Sequence, residues 1–573
     1  MRYLKKYISK YFRMFLLAVC ALSFEAACDL FQPTIMSKIV DIGIKNKDLS
    51  YVLKLGGVMV LVTGIGAAAA VTRNNISSRV SQRFGADLRL DLFRKIQALS
   101  YKDAGRFETA TLVTRLTNDV TQIQNLVNGM MRIFVKAPLL CIGSIIMAVL
   151  LEPRLSVVIA VAVPVIVCII LLNTKVGYPL FRRVQAAVDR LNGVMREYLS
   201  GIRVVKAFNR FSFERERFSV SNEALADVQT SAMKVMAVFS PANTLVINLG
   251  IAAVLWYGGV GVNNGSFQVG KIIAFINYMM QISTSLVTIS MVFTMFVRAR
   301  ASAERIGEVM DRNDAAPAGK AGPVPRVADI AFEHVSFSYN GNPEEPVLKD
   351  ITFTVKQGET IGIIGTTGSG KTSLVNLIPR FYDPTSGCIR IGGENILNLD
   401  GHALRERIAV VPQKSTLFTG TIAENIRWGR PDATDREVQE AAGIAQAHNF
   451  VSALPEGYRT VLGQGGVNLS GGQKQRLSIA RALLKKPDVL ILDDSTSAVD
   501  VITEQKIRSG LKKYSANLTC IIVAQRISSV MSADKIIVLD NGGIVGLGSH
   551  EKLLGSCEIY REIFRSQFGR EAV

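Results

Sequence analysis

The sequence predicts a two-part chain: an α-helical membrane domain of six transmembrane helices with long cytoplasmic extensions, followed by an α/β domain. Three observations carry that prediction. A length of 573 residues exceeds what one compact core organises. A charged fraction of only 20%, with a mean hydropathy of +0.26, marks a large membrane-embedded share. Long apolar runs stop near residue 300, after which strand-like and helix-like segments alternate.

Crossing a bilayer as a helix takes about 20 apolar residues. Six segments approach or exceed that length, near 14–40, 53–76, 134–151, 155–173, 235–261 and 270–297, within a domain covering 1–310. Arg2, Lys5, Lys6, Lys10 and Arg13 precede the first of them, and a long Arg-rich stretch separates the second from the third. By the positive-inside rule the N-terminus is cytoplasmic. Spans 1–2, 3–4 and 5–6 are joined by the short links IKNKDLS, LEPRL and NNGSFQ, whereas 2–3 and 4–5 are joined by much longer polar stretches such as RFGADLRLDLFRKIQALSYKDAGRF. Their helical periodicity and charged outer faces predict spans that continue into the cytoplasm and turn at short helices near 100–107 and 204–211.

The net charge of +19 sits largely beside the apolar spans, which points to a lipid bilayer and away from nucleic acid as the partner. Seven cysteines (Cys20, Cys28, Cys141, Cys168, Cys388, Cys520 and Cys557) have no CxxC pair and no metal-like spacing, so they read as reduced packing thiols. The basic start MRYLKKYISKYFRM runs straight into the first span without an A-x-A-type site, so no cleavable signal peptide is expected. Glu25 and Asp29, one turn apart on span 1, are costly in hydrocarbon; they belong near the outer leaflet or a watery vestibule as packing groups, or else meet a cationic substrate. Asn248, Asn277 and Gln281, with Phe275, Met279, Met280, Phe293 and Phe296, are candidates for an adaptable amphiphilic cavity or for plain helix packing.

Residues 311–328, within DRNDAAPAGKAGPVPRVAD, form a Pro/Ala/Gly-rich linker without periodicity. The second domain, 329–573, alternates the strand-like runs IAFEHVSFSY, TIGIIG, IAVVP, VLILD, TCIIVA and KIIVLD with helical patterns. Directly after TIGII stands GTTGSGKT: Gly365, Thr366, Thr367, Gly368, Ser369, Gly370, Lys371 and Thr372, with Ser373 next. Strand, small-residue loop and helix in that order make a phosphate cradle, in which successive backbone N–H groups wrap phosphate, Lys371 adds a cation and the Thr372 hydroxyl ligates Mg2+. The run VLILDDSTSAVD at 489–500 ends four apolar residues on Asp493, a carboxylate at a strand's C-terminal end and suited to Mg2+. LSGGQ at 469–473 opens a basic helix, so Ser470, Gly471, Gly472 and Gln473 make a second phosphate-facing helix start. One cradle already serves this domain's nucleotide, so the second implies a nucleotide held by another chain.

Taken together, residues 329–573 resemble the ATPase of an ABC transporter, with Tyr339 at the adenine-stacking position, Gly365–Thr372 as Walker A, Gln413 as the Q-loop, Leu469–Gln473 as the signature, Asp493 as Walker B and Asp500 as the D-loop. The six spans and long arms resemble the type IV (type I exporter) half-transporter, so the fold class becomes a helical membrane domain followed by an α/β P-loop ABC ATPase domain. QRFGADLRLDLFRKIQALS, TRLTNDVTQIQNL and WGRPDATDREVQEAA are similar to one subunit of the bacterial heterodimeric multidrug exporters. The resemblance implies ATP and Mg2+ as ligands, with Thr372, Gln413 and Asp493 on the metal, and an inner-membrane location with the ATPase domain cytoplasmic.

Two positions depart from the family. The residue after Walker B is usually a glutamate that polarises the attacking water, and the switch loop usually carries a histidine; here they are Asp494 and, in IIVAQRISS, Gln525. An aspartate is one methylene shorter, and loss of a positioned general base costs about 10²–10⁴ in rate. In LGQGG at 462–466, Gln464 replaces the usual acid and weakens a charged contact with the arms. Since the family's ATPase domains meet head to tail, the departures predict a degenerate site in this chain, an intact signature for the other site, and a non-identical half-transporter as partner. The cargo implied is an amphiphilic small molecule, drugs first; a lipid or peptide exporter and an ATP-binding regulatory membrane protein are the alternatives.

Overall fold

A computed structural model describes residues 2–312, 329–514 and 517–568. Most of the expected linker, 313–328, lies outside the described residues. Two compact units result, one from the residues up to Gln97 together with Glu108–Arg312, the other from Ala98–Phe107 together with the described residues from Asp329 onward.

The membrane unit holds six helices long and apolar enough to cross a bilayer: Lys5–Ile44, Leu49–Ala98, Thr109–Leu151, Ser156–Ser200, Phe211–Asn263 and Val269–Met310. Each runs past its apolar core, because the charged continuations keep helical periodicity, and the fourth helix continues through Pro179. The second turning helix is Ile202–Ala207, a little earlier than 204–211, since Phe208–Arg210 form a turn and Phe211 already opens the next helix.

Polar ties hold these helices together both within the apolar spans and along their charged continuations. Tyr7 and Tyr11 donate to Asp91 and Asp87, both at 2.7 Å, and Lys6 and Lys10 pair with the same carboxylates. The i,i+4 spacing on both helices makes this a two-rung zipper. Fully buried Asp119 binds Arg305 and Ser302 of the sixth helix. Glu25 is tied to Arg73 at 2.7 Å and to Lys136 at 2.5 Å, and Lys136 also pairs with Asp29 at 3.0 Å. These acids thus have cationic partners, with Lys136 at the start of the third span's apolar core.

Of the cavity candidates, Phe275 and Met279 are buried in the core around Tyr278, with Met279 filling the space that a side chain on Gly250 would need. Gln281 accepts from Ser144 at 2.8 Å. Met280, Phe293, Phe296, Asn248 and Asn277 are exposed in the single chain.

In the second unit a six-stranded sheet has the order β12-β11-β3-β10-β9-β6, where β3 is Thr360–Gly365, β6 Ile408–Val411, β9 Val489–Asp493, β10 Thr519–Val523, β11 Lys535–Asp540 and β12 Gly543–Gly548. All neighbours are parallel except β11 and β12. A parallel sheet is covered on both faces, which explains why all five residues of β9 are buried. Alternation along β9 sends Val489 and Ile491 into one apolar cluster and Leu490 and Leu492 into the other. A smaller antiparallel sheet of β1 (Ile330–Phe337), β2 (Leu348–Val355), β4 (Ser386–Ile391) and β5 (Glu394–Asn395) leads directly into Tyr339, and the short strands β7 (Gly420–Thr421) and β8 (Val461–Leu462) pair separately.

Candidate nucleotide site

The strand order decides the site. Ligands of open parallel sheets bind beyond the carboxyl ends of the strands. Along β3-β10-β9-β6 those ends deliver, side by side, the Gly365–Thr372 loop, Gln525, Asp493 with Asp494, and Gln413. The register pairs Val523 of β10 with both Ile363 and Asp493, which brings four segments scattered over 160 residues of sequence to one edge.

In the loop, Gly368 (φ +83°) and Gly370 (φ +96°) adopt left-handed backbone, and a side chain on Gly370 would collide with Leu348. Lys371 opens the following helix, Lys371–Leu377, and donates to the carbonyls of Gly365 (2.9 Å) and Thr366 (2.7 Å). Burial pushes the Lys371 ammonium below its ordinary range, against the pull of Asp494 and Asp493. Thr366 binds Asp540 at 2.9 Å, and Thr367 is exposed. The buried Ser369 hydroxyl has no hydrogen-bond partner among the described residues. A lysine resting on its own loop's carbonyls and an unsatisfied hydroxyl inside a small-residue turn fit a bound phosphate chain.

Thr372 donates to Asp493 at 3.2 Å. Burial raises the Asp493 carboxyl, while the Thr372 hydroxyl lowers it. This hydroxyl–carboxylate pair has the hard oxygen donors that Mg2+ requires; bound there, the ion would neutralise charge on the outer phosphates. Asp494 is held differently. It sits at φ +48°, is 9% exposed, and its Oδ2 accepts from Gln525 Nε2 (2.8 Å) and Gln413 Nε2 (3.0 Å). The two departing positions, Asp494 and Gln525, therefore form one knot with the Q-loop residue Gln413, and Asp494 is at its centre.

Tyr339, 40% exposed, shares a hydrogen bond of 2.8 Å with Ser373 and meets Phe337 and Tyr382 edge-on. Tyr382 also meets Tyr101, which stacks on Phe381 at 5.0 Å. Tyr101 begins the short helix Tyr101–Ala104, capped by Ser100. No motif marked Tyr101 or Tyr382 in the sequence; the clue was the aromatic density around FYDP.

Ser470, Gly471, Gly472 and Gln473 do not join that knot by any hydrogen bond among the described residues. They start the helix Gly471–Leu484, where Ser470 accepts from Gln473 N–H at 3.3 Å and Gln473 Oε1 accepts from Ser470 N–H at 2.9 Å. Gly472 cannot bear a side chain, since a β-carbon would lie 2.6 Å from the Ala498 carbonyl. Asp500 accepts from Thr503 N–H at 2.8 Å, and Gln464 is exposed next to Gly465, whose carbonyl takes Lys474 at 2.9 Å.

The family described as ABC transporter transmembrane region matches residues 15–286, and that described as ABC transporter matches residues 348–497. The chain is 41% identical over 553 residues to the ABC transporter ATP-binding protein YfiB of Bacillus subtilis (strain 168), covering 96% of this chain and 95% of that protein. It is 34% identical over 500 residues to the ATP-dependent lipid A-core flippase of Syntrophus aciditrophicus (strain SB), covering 87% and 83%. A bacterial Atm1-family ABC exporter solved with ATP bound aligns with a TM-score of 0.81 at 27% identity, over 98% of this chain and 99% of that one. With six apolar helices ahead of an ATP-binding domain of this geometry, the chain belongs to the ABC transporter family and is a multi-pass membrane protein of the exporter fold.

Proposed function

We propose that this chain is the degenerate-site half of a heterodimeric ATP-driven exporter in a bacterial inner membrane, with its N-terminus and ATPase domain in the cytoplasm. One observation carries the reading: both amides of the knot, Gln413 and Gln525, engage the carboxylate of Asp494, while the signature end at Ser470–Gly472 is fully formed and faces outward. A carboxylate occupied in this way, on an arm one methylene short, is poorly placed to take a proton from water. This chain then binds ATP at its own cradle through Lys371, Thr372 and Tyr339, and lends Ser470, Gly471 and Gly472 to the partner's cradle, where most hydrolysis occurs. Closure of two such domains around ATP drives alternating access. The exposed Val204 and Phe208 at the second turning helix, and the exposed Phe418–Trp428 stack, are surfaces suited to a second chain.

The cargo is an amphiphilic compound, with drugs first. The likeness to a lipid A-core flippase favours a lipid as the second reading. The test is to purify the chain alone and with the product of the adjacent reading frame. ATPase activity is expected only in the pair, abolished by neutralising the partner's catalytic acid and retained within about twofold in Asp494→Ala, because the two sites contribute independently. Brisk hydrolysis by this chain alone would overturn the proposal.

A further inference from the structure

The last described helix, Glu558–Phe568, reaches the switch segment. It is seated by fully buried Tyr560, whose hydroxyl is 2.7 Å from His550 Nδ1, and by buried Phe564. This leaves Gln567 one turn further on and exposed, beside the loop that follows β10. Its side-chain amide makes two hydrogen bonds there: Nε2 donates to the Gln525 carbonyl at 2.8 Å, and Oε1 accepts from Ile527 N–H at 2.8 Å.

Those two backbone groups flank Arg526, whose backbone is extended (φ −96°, ψ 129°). A donor and an acceptor meeting the carbonyl before and the N–H after one extended residue is the pattern of a parallel β-bridge. The glutamine amide therefore stands in for a strand and fixes three residues at once. One of them enters the site, where Gln525 reaches Asp494; its neighbour Arg526 reaches the Ser497 carbonyl at 3.4 Å.

We propose that Gln567 is a positioning residue for nucleotide binding, holding the Gln525–Ile527 backbone so that the Gln525 amide stands at the outer end of the phosphate cradle. That end is where Lys371, Thr372 and Asp493 converge, and a nucleotide's terminal phosphate belongs there. Gln567 acts on ATP and not on ADP, because only ATP extends a third phosphate as far as the segment it holds. The inference rests on the reading that this chain's own cradle binds ATP.

The test is photolabelling of this chain, within the intact membrane complex in lipid nanodiscs, by 8-azido-ATP and 8-azido-ADP with Mg2+ on ice. Gln567→Ala should weaken ATP labelling about tenfold, the loss expected for two neutral hydrogen bonds, and leave ADP within about twofold. Gln567→Glu should match Gln567→Ala at neutral pH, where the carboxylate opposes the Gln525 carbonyl. It should recover as the pH falls and protonation restores a donor beside the acceptor. Equal weakening of ATP and ADP, unchanged ATP labelling in Gln567→Ala, or a pH-independent Gln567→Glu would each overturn it. Absence of ATP labelling in the unaltered chain would overturn both this inference and the reading on which it rests.

Discussion

The ATPase domain has two ends built to face phosphate, and they are in opposite condition. At the cradle, most polar side chains already hold a partner: Lys371 lies on loop carbonyls, Thr372 on Asp493, and Gln413 and Gln525 on Asp494, while the Ser369 hydroxyl has none among the described residues. At the signature, Ser470 and Gln473 close only a helix cap, and the remaining N–H groups point outward from the helix start. At the first, the carboxylate of Asp494 is held by two amides; at the second, the helix start is left exposed, as the proposed pairing with a second chain requires. The two ends share no hydrogen bond among the described residues, so on the proposed reading a substitution at one can leave the other untouched.

The sharpest way to break the comparison is to make the cradle end resemble the usual family pattern. Asp494→Glu with Gln525→His should raise hydrolysis at this chain's own site by about 10²–10⁴, measured in a pair whose partner carries a disabled catalytic acid. No gain would mean that the two residues are not what limits the site. At the signature end, Ser470→Asp keeps a good N-cap but sets a negative charge where phosphate should dock. ATPase activity of the pair should fall on the order of 10²-fold, with the melting temperature unchanged. Ser470→Ala separates the two roles, costing about 1 kcal/mol of helix stability in thermal unfolding, with a smaller drop in activity.

The smallest effect concerns Lys371. Its folded pKa is depressed by burial, so in the free site its charge is lost earlier as pH rises than for an exposed lysine. Bound phosphate raises that pKa again, so ATP binding should take up a fraction of a proton in alkaline solution, and affinity should decline as pH rises. Calorimetry in two buffers of different ionisation enthalpy reads the uptake directly; release of protons would reverse the sign of the argument.

Much of this could be read along the chain. Six apolar runs with periodic charged continuations foretold long helices, and VLILD foretold a strand because four consecutive apolar residues suit a sheet covered on both faces. Other strands were less visible. β12, GIVGLG, is half glycine, and β4, SGCIRI, shows an apolar alternation over only its last residues. The chemistry of Gly365–Thr372 and Ser470–Gln473 was legible because it depends on local spacing. The knot at Asp494 was not, because it joins residues 413, 494 and 525 through the strand order, and neither was Gln567, an exposed polar residue on an amphipathic helix. The same limit hid the partners of Glu25: nothing near it in sequence indicates that Arg73 and Lys136 come from two other helices to meet it.

That last cluster has an electrical consequence. Glu25 and Asp29 contribute two negative charges, Arg73 and Lys136 two positive ones, and the sum is zero. If the three helices that carry them move as a group, this cluster moves no net charge through the membrane field and adds no voltage dependence of its own. Removing any one member leaves an elementary charge exposed to a field worth about 2.3 kcal/mol per 100 mV over the full span. A variant lacking one member should then differ from the unaltered protein in the voltage dependence of transport.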